Sequence, residues 1–165
     1  MEGVKAHYDY IIIDNPPSLG LLTINSFVAS DRLIIPVSTG FFAMTGLVQL
    51  HETIDMVKQT RLNPDLEILG VLSTFSERTN VSRDVERELR KHFGDLVFET
   101  TIPKNVSLEE AHSHHTHVFE YAPNSSGARK GKRKRVLKRL PEAPFPLGLG
   151  IVLLVIVVIL ALWLF

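Results

Sequence analysis

The sequence predicts an α/β fold, a parallel sheet flanked by helices, followed by a basic linker and one transmembrane helix. Three observations predict it. Short apolar runs alternate with helix-period stretches over residues 5–124, the pattern of strand–helix–strand units. The strand-like runs are near-continuous rather than alternating, as in strands covered on both faces. The last 19 residues, 147–165, carry no charge at all.

The elements follow in order. Residues 8–14, "YDYIIID", read as a strand that ends at Pro16 and Pro17. Residues 19–29 read as a helix, and 32–37 ("RLIIPV") as a second strand. Over residues 44–59, Leu47, Leu50, Ile54 and Val57 fall on one helical face. Residues 67–73 ("EILGVLS") form a third strand. Ser82 reads as an N-cap, with Val85, Leu89 and Phe93 as the apolar stripe behind it. Residues 96–102 read as a fourth strand. Ser107 and Glu110 have the spacing of a capping box.

The formal net charge of zero hides a division. Residues 1–128 carry 10 Lys/Arg against 17 Asp/Glu, a net of −7, whereas residues 129–165 carry 8 against 1, a net of +7. The chain therefore divides into a body (1–128), a basic and proline-rich linker (129–146) and an apolar tail (147–165). With no cysteine, disulfides and thiolate metal sites are excluded.

The tail "LGLGIVLLVIVVILALWLF" spans roughly 28 Å as a helix, about the thickness of a bilayer's hydrocarbon core. Arg129, Lys130, Lys132, Arg133, Lys134, Arg135, Lys138 and Arg139 precede it. Positive flanks stay cytoplasmic, so the body is expected in the cytoplasm, tail-anchored to the cytoplasmic membrane in a single pass. The same eight residues suit anionic lipid head groups, or DNA as a non-specific tether. Trp163, the one side chain of the run with a polar atom, joins them as a candidate membrane contact.

Asp14 is the acid that carries chemistry. Ligands of open parallel sheets bind beyond the carboxyl ends of the strands. A carboxylate there holds magnesium through water, or orients an attacking water, beside a nucleotide phosphate. Pro16 and Pro17 stiffen the turn as far as Gly20. Taken alone, D-x-P-P is equally a strand-end turn.

The wider context is more specific. "YDYIIIDNPPSLGLLTINSFVASDRLIIPV" resembles the ParA/Soj-type partition ATPases, relatives of MinD among the deviant Walker-A P-loop NTPases. The resemblance continues through "FFAMTGLVQLHETI", "LNPDLEILGVL", "RTNVSRDVERELRKHFGDLVFETTIPKNVSLEEA" and "VFEYAPNSSGA", covering about residues 6–128. It implies ATP and Mg²⁺ as ligands, with Asp14 acting on the metal and the attacking water. Asn15, Pro16, Pro17, Ser18 and Leu19 match the loop that senses the γ-phosphate; Asn15 departs from the Cys, Thr or Ala usual there. Pro103 and Asn105 match a loop near the adenine. Tyr121 and Pro123 match a late loop near the nucleotide and the dimer face. The resemblance also implies a nucleotide-driven dimer with a ParA-like subunit, non-specific DNA binding and a ParB-type partner. Arg78, Arg83, Arg87, Arg90 and Lys91 are candidates for the DNA face, although Asp84, Glu86 and Glu88 lie among them.

The family's phosphate-binding loop is not in these 165 residues: no G-x-x-x-x-G-K-[ST] occurs. The expectation is a ParA-like domain lacking its N-terminal part, without ATP hydrolysis of its own. The resemblance puts the absent strand beside the one bearing Asp14, leaving residues 11–13 near an open apolar edge. Two functions fit: a binding member that pairs with a complete ParA-type subunit, or a non-functional fragment of a partition gene. Finally, "HSHHTH" sets His112, His114 and His117 close together, as transition-metal ligands or as a histidine-rich loop.

Overall fold

The structure, a computed structural model, describes residues 7–8, 10–16, 18–40, 43–131 and 154–157. Elements come in the order β1 (Ile12–Asn15), α1 (Leu21–Ala29), β2 (Arg32–Ser38), α2 (Ala43–Gln59), β3 (Glu67–Thr74), α3 (Asn80–Phe93), a 3₁₀ turn (Gly94–Leu96), α4 (Val106–Ser113), α5 (Val118–Tyr121), α6 (Ser126–Gly131) and β4 (Leu154–Val157). Four strands form one parallel sheet in the order β1-β4-β2-β3. The predicted α/β fold with a parallel, helix-flanked sheet is what is observed.

The core lies against β2 and β3. Leu33, Ile35 and Val37 of β2 and Val71 of β3 are all at most 2% exposed. Helix α2 covers them with Leu47, Leu50, Ile54 and Val57, the stripe its sequence predicts, and each such side chain stabilises by about 1.5–3 kcal/mol through burial. Helix α3 adds Val85 and Leu89, and α1 adds Phe27. Pro36 lies beyond the last β2–β4 pair, Ile34↔Ile156, at the end of that ladder, where a proline removes no needed donor. Asn63 donates from Nδ2 to the carbonyls of Phe27 (2.9 Å) and Ser30 (2.6 Å), satisfying acceptors at the end of α1.

Several expectations are corrected. The first strand is shorter than 8–14, beginning at Ile12. Residues 96–102 do not form a strand. They touch β3 through Phe98 N–H to Val71 O (2.9 Å), Ile102 N–H to Ser73 O (2.8 Å) and the isolated bridge Val71↔Val97, without a continuous ladder. Thr79, not Ser82, caps α3: its hydroxyl accepts from Ser82 N–H at 3.2 Å. Asn105, not Ser107, caps α4, accepting from Ser107 N–H at 2.8 Å. In both cases the residue expected to cap supplies the donor that is capped. Helix α6 runs through Arg129 and Lys130, where the linker was expected to begin.

Lys132, Arg133, Lys134, Arg135, Lys138, Arg139 and Trp163 lie outside the described residues, as does most of the tail read as a transmembrane helix. The four described tail residues, Leu154–Val157, are a strand, between β1 and β2. Among the described residues, no helix is long and apolar enough to cross a membrane.

Candidate functional site

All strands being parallel, the turns that leave β1, β2 and β3 open on one edge of the sheet. Asp14 arrives there exposed on β1, while the next residue, Asn15, is buried. The turn is held by short hydrogen bonds. Ser26 Oγ donates to Asn15 Oδ1 at 2.6 Å, Ser18 N–H to Pro16 O at 2.8 Å, and Thr23 Oγ1 to Ser18 O at 2.6 Å. The first turn of α1 thereby clamps the chain after Asp14. Gly20 caps α1 without a side-chain acceptor, so the helix's leading N–H groups have no side-chain cap on this edge. Asn15 Nδ2 is buried with no hydrogen-bond partner. Pro17 is outside the described residues.

Asp14 fits one corner of a magnesium–nucleotide site, offering an exposed oxygen ligand at a strand's carboxyl end, the donor a hard cation takes through water.

The neighbouring turns contribute residues that the sequence reading missed. Thr39, just past β2, shares a 2.7 Å hydrogen bond with Ser82 Oγ, and that hydroxyl also accepts from Glu77 N–H at 3.2 Å. Phe75, just past β3, has φ 50°, a conformation that costs a bulky side chain, and its ring is 45% exposed. Nothing in "STFSE" signals it, since no glycine marks the position. Lys104 Nζ lies 3.0 Å from Glu77 Oε1, tying the loop before α4 to the loop after β3. The hydrogen bond and charge of Glu77 raise the Lys104 pKa above its ordinary 10.5.

Pro103 bridges to Ser76, which sets the 103–105 loop beside the turn after β3. Asn105 donates from Nδ2 to Ser126 Oγ at 2.7 Å, linking that loop to α6. Tyr121 stacks on His114 with ring centroids 5.1 Å apart, and Pro123 is exposed beyond it. The histidines have separate local roles. His112 is in α4, His114 is its C-cap, and His117 caps α5 through Nδ1, which accepts from Glu120 N–H at 3.0 Å. Among the described residues no group of three or more His, Asp or Glu is arranged to hold a metal ion.

The basic residues of α3 are exposed but engaged. Arg87 meets Asp84 at 3.1 Å, Lys91 meets Glu88 at 3.5 Å, Arg83 donates to Asn80 and Arg90 donates to Phe98 O. Arg78 is exposed in the loop before α3. A cavity of about 530 Å³ opens elsewhere, between α2, β3 and α3, lined by Leu47, His51, Ile68, His92 and Phe93 among others, and by none of the nucleotide-site candidates.

An AAA domain family model matches residues 1–68. The chain is 52% identical over 129 residues to the sporulation initiation inhibitor protein Soj of Bacillus subtilis, covering 78% of this chain and 51% of Soj. It is 47% identical over 125 residues to the chromosome partitioning protein ParA of Myxococcus xanthus, covering 75% and 44%. The chain thus spans about half the length of these relatives. Among solved structures, cobyrinic acid a,c-diamide synthase from Mycobacterium smegmatis, with bound ATP analog and magnesium, is similar at TM-score 0.59 and 30% identity, over 77% of this chain and 47% of that one.

Proposed function

We propose that this chain is a member of the ParA/Soj partition ATPase family and acts as a binding member of a nucleotide-dependent partition system, a reading supported by its similarity to Soj and ParA over the matched residues. Its role is to dock on a complete ParA-type subunit, in a dimer that answers to a ParB-type protein and binds DNA. ATP hydrolysis by these 165 residues alone is not part of the role.

The supporting observation is the clamped turn after Asp14. Asn15 is buried and bound to Ser26, and Ser18 O accepts from Thr23, so the described residues on both sides of Pro17 are tied to α1. The same 165 residues contain no G-x-x-x-x-G-K-[ST] cradle, so in this reading the complete ParA-type subunit would supply the phosphate contacts. Bound magnesium and ATP would supply the charge that a γ-phosphate-sensing loop reads. Asp14 would hold the magnesium through water, and the α1 N-terminus, which has no side-chain cap, would favour the negative charge of the phosphate. Tail anchoring belongs to the same proposal, supported by the uncharged run 147–165 and the eight basic residues before it.

The test is size-exclusion chromatography of the full chain with full-length Soj, in ATP and in ADP. An ATP-dependent complex, lost in Asp14→Ala, is the expected result, with background ATP turnover by the chain alone. A chain that stays apart from Soj in both nucleotides would sink the proposal.

A further inference from the structure

Strand β4 has an unusual position for the last described segment of the chain. Leu154–Val157 do not add to a sheet edge; they lie between β1 and β2. Ile12, Ile13, Asp14 and Asn15 pair with Leu154, Val155, Ile156 and Val157, while Arg32, Leu33 and Ile34 pair with Leu154, Val155 and Ile156 on the other side. Among the described residues β1 and β2 do not pair directly, so the strand that delivers Asp14 is joined to the sheet through β4.

The composition of this segment suits that position. A central parallel strand reads as a continuous apolar run rich in β-branched residues. Residues 151–159, "IVLLVIVVI", contain seven β-branched residues out of nine. On the β2 side the slot is bordered by Leu33 and Ile34, at most 4% exposed; on the β1 side Ile13 is half-buried and Ile12 is exposed. These nine residues lie inside the uncharged run 147–165, which has the length and neutrality of a bilayer span. Four residues cannot be at once a hydrogen-bonded strand between β1 and β2 and part of a helix in lipid, because the two states need different backbone dihedrals and different hydrogen-bond partners.

We infer that the slot between β1 and β2 is a strand-acceptor site whose occupant is this chain's own segment Leu154–Val157, and that sheet and bilayer compete for that segment. In the sheet-bound form Asp14 is held in register and the tail is withdrawn from lipid. In the lipid-bound form β1 loses its link to β2. The bilayer arm rests on the tail anchoring proposed above; the strand arm does not.

The chain has no cysteine, so a single designed pair reports the strand. Ile13→Cys with Val155→Cys, a registered pair, is made by cell-free synthesis with and without phosphatidylcholine liposomes containing phosphatidylglycerol, then treated with a short bis-maleimide. Expected is an intramolecular cross-link without liposomes, lost in step with the fraction that floats with them. A second variant, Ile156→Pro, removes a donor that a central strand needs but that membrane helices tolerate losing, so flotation should rise. Absence of the cross-link without liposomes overturns the strand assignment, as does a cross-link joining two chains. An undiminished cross-link in floating protein overturns the competition. A cross-link without any flotation also overturns the competition, and that result marks failure of the anchoring proposal while Soj binding is tested separately.

Discussion

Ser26 Oγ donates to Asn15 Oδ1 across 2.6 Å, and that contact fixes the one buried side chain of β1. The two partners are not equally dependent on it. Ser26 keeps a second acceptor, Leu22 O at 2.9 Å, whereas Asn15 Nδ2 already lacks a partner. Ser26→Ala should therefore cost about 1–3 kcal/mol, since it strands the whole Asn15 carboxamide. Asn15→Ala removes the orphaned group with its burden and should cost less. Urea denaturation midpoints of the two variants check the order; Asn15→Ala proving the more destabilising would refute it.

Gly70 is held to its identity by Phe98. A Cβ on Gly70 would lie 2.7 Å from two ring carbons of Phe98 and 2.9 Å from the carbonyl oxygen of Leu96. Phe98 is 2% exposed and has little room to move, and a backbone carbonyl cannot rotate away. Gly70→Ala should destabilise by about 1–3 kcal/mol through overpacking. Thermal unfolding followed by circular dichroism measures it, and a partial recovery in Gly70→Ala with Phe98→Leu would trace the loss to this contact.

The same contact explains part of what was legible in the sequence. The runs 32–37 and 67–73 and the stripe Leu47, Leu50, Ile54, Val57 announced their elements, because burial and periodicity are local properties of the sequence. "LVFETTI" has the composition of a strand yet is not one. Its approach to β3 is governed by ring packing over Gly70, a tertiary fact. The cap of α3 was misplaced by three residues because Thr79 and Ser82 are both good caps; Ser82's hydroxyl is bound instead to Thr39, 43 residues away in sequence. At the carboxyl end of the sheet, the strand end that carries Asp14 was readable from the sequence. Thr39, Phe75 and Glu77 were not, since only the parallel sheet brings the ends of β2 and β3 to the same edge.

The start of α3 offers a comparison of two hydroxyls. Thr79 accepts from Ser82 N–H, an N-cap whose loss in Thr79→Ala should cost about 1 kcal/mol. Ser82 Oγ is buried, shares a hydrogen bond with Thr39 and accepts from Glu77 N–H. Ser82→Ala leaves those two groups without that partner and should cost at least as much, about 1–3 kcal/mol. It should also loosen the turn past β3, so hydrogen exchange at Glu77 N–H should speed up in Ser82→Ala. Unchanged protection there would show that the turn does not depend on Ser82.

The Lys104–Glu77 pair sets a pH dependence whose sign follows from its direction. The hydrogen bond and charge of Glu77 raise the Lys104 pKa above 10.5 in the folded chain. A raised pKa on a cationic group stabilises the fold fully below the unfolded value and stops doing so as pH climbs through the folded one. The pair's contribution is therefore constant across neutral pH and disappears in strong alkali. Both side chains are largely solvated, at 60% and 43% exposure, so the effect on global stability is small. Its larger consequence is local, because the pair ties the Pro103–Asn105 loop to the turn after β3. Glu77→Gln should lower the urea midpoint slightly at neutral pH, and the difference from the unaltered chain should close once pH passes well above 10.5. Raising salt at neutral pH should narrow it too, since screening weakens an exposed pair. A deficit that persisted unchanged in alkali would mean that the carboxylate acts on something other than Lys104.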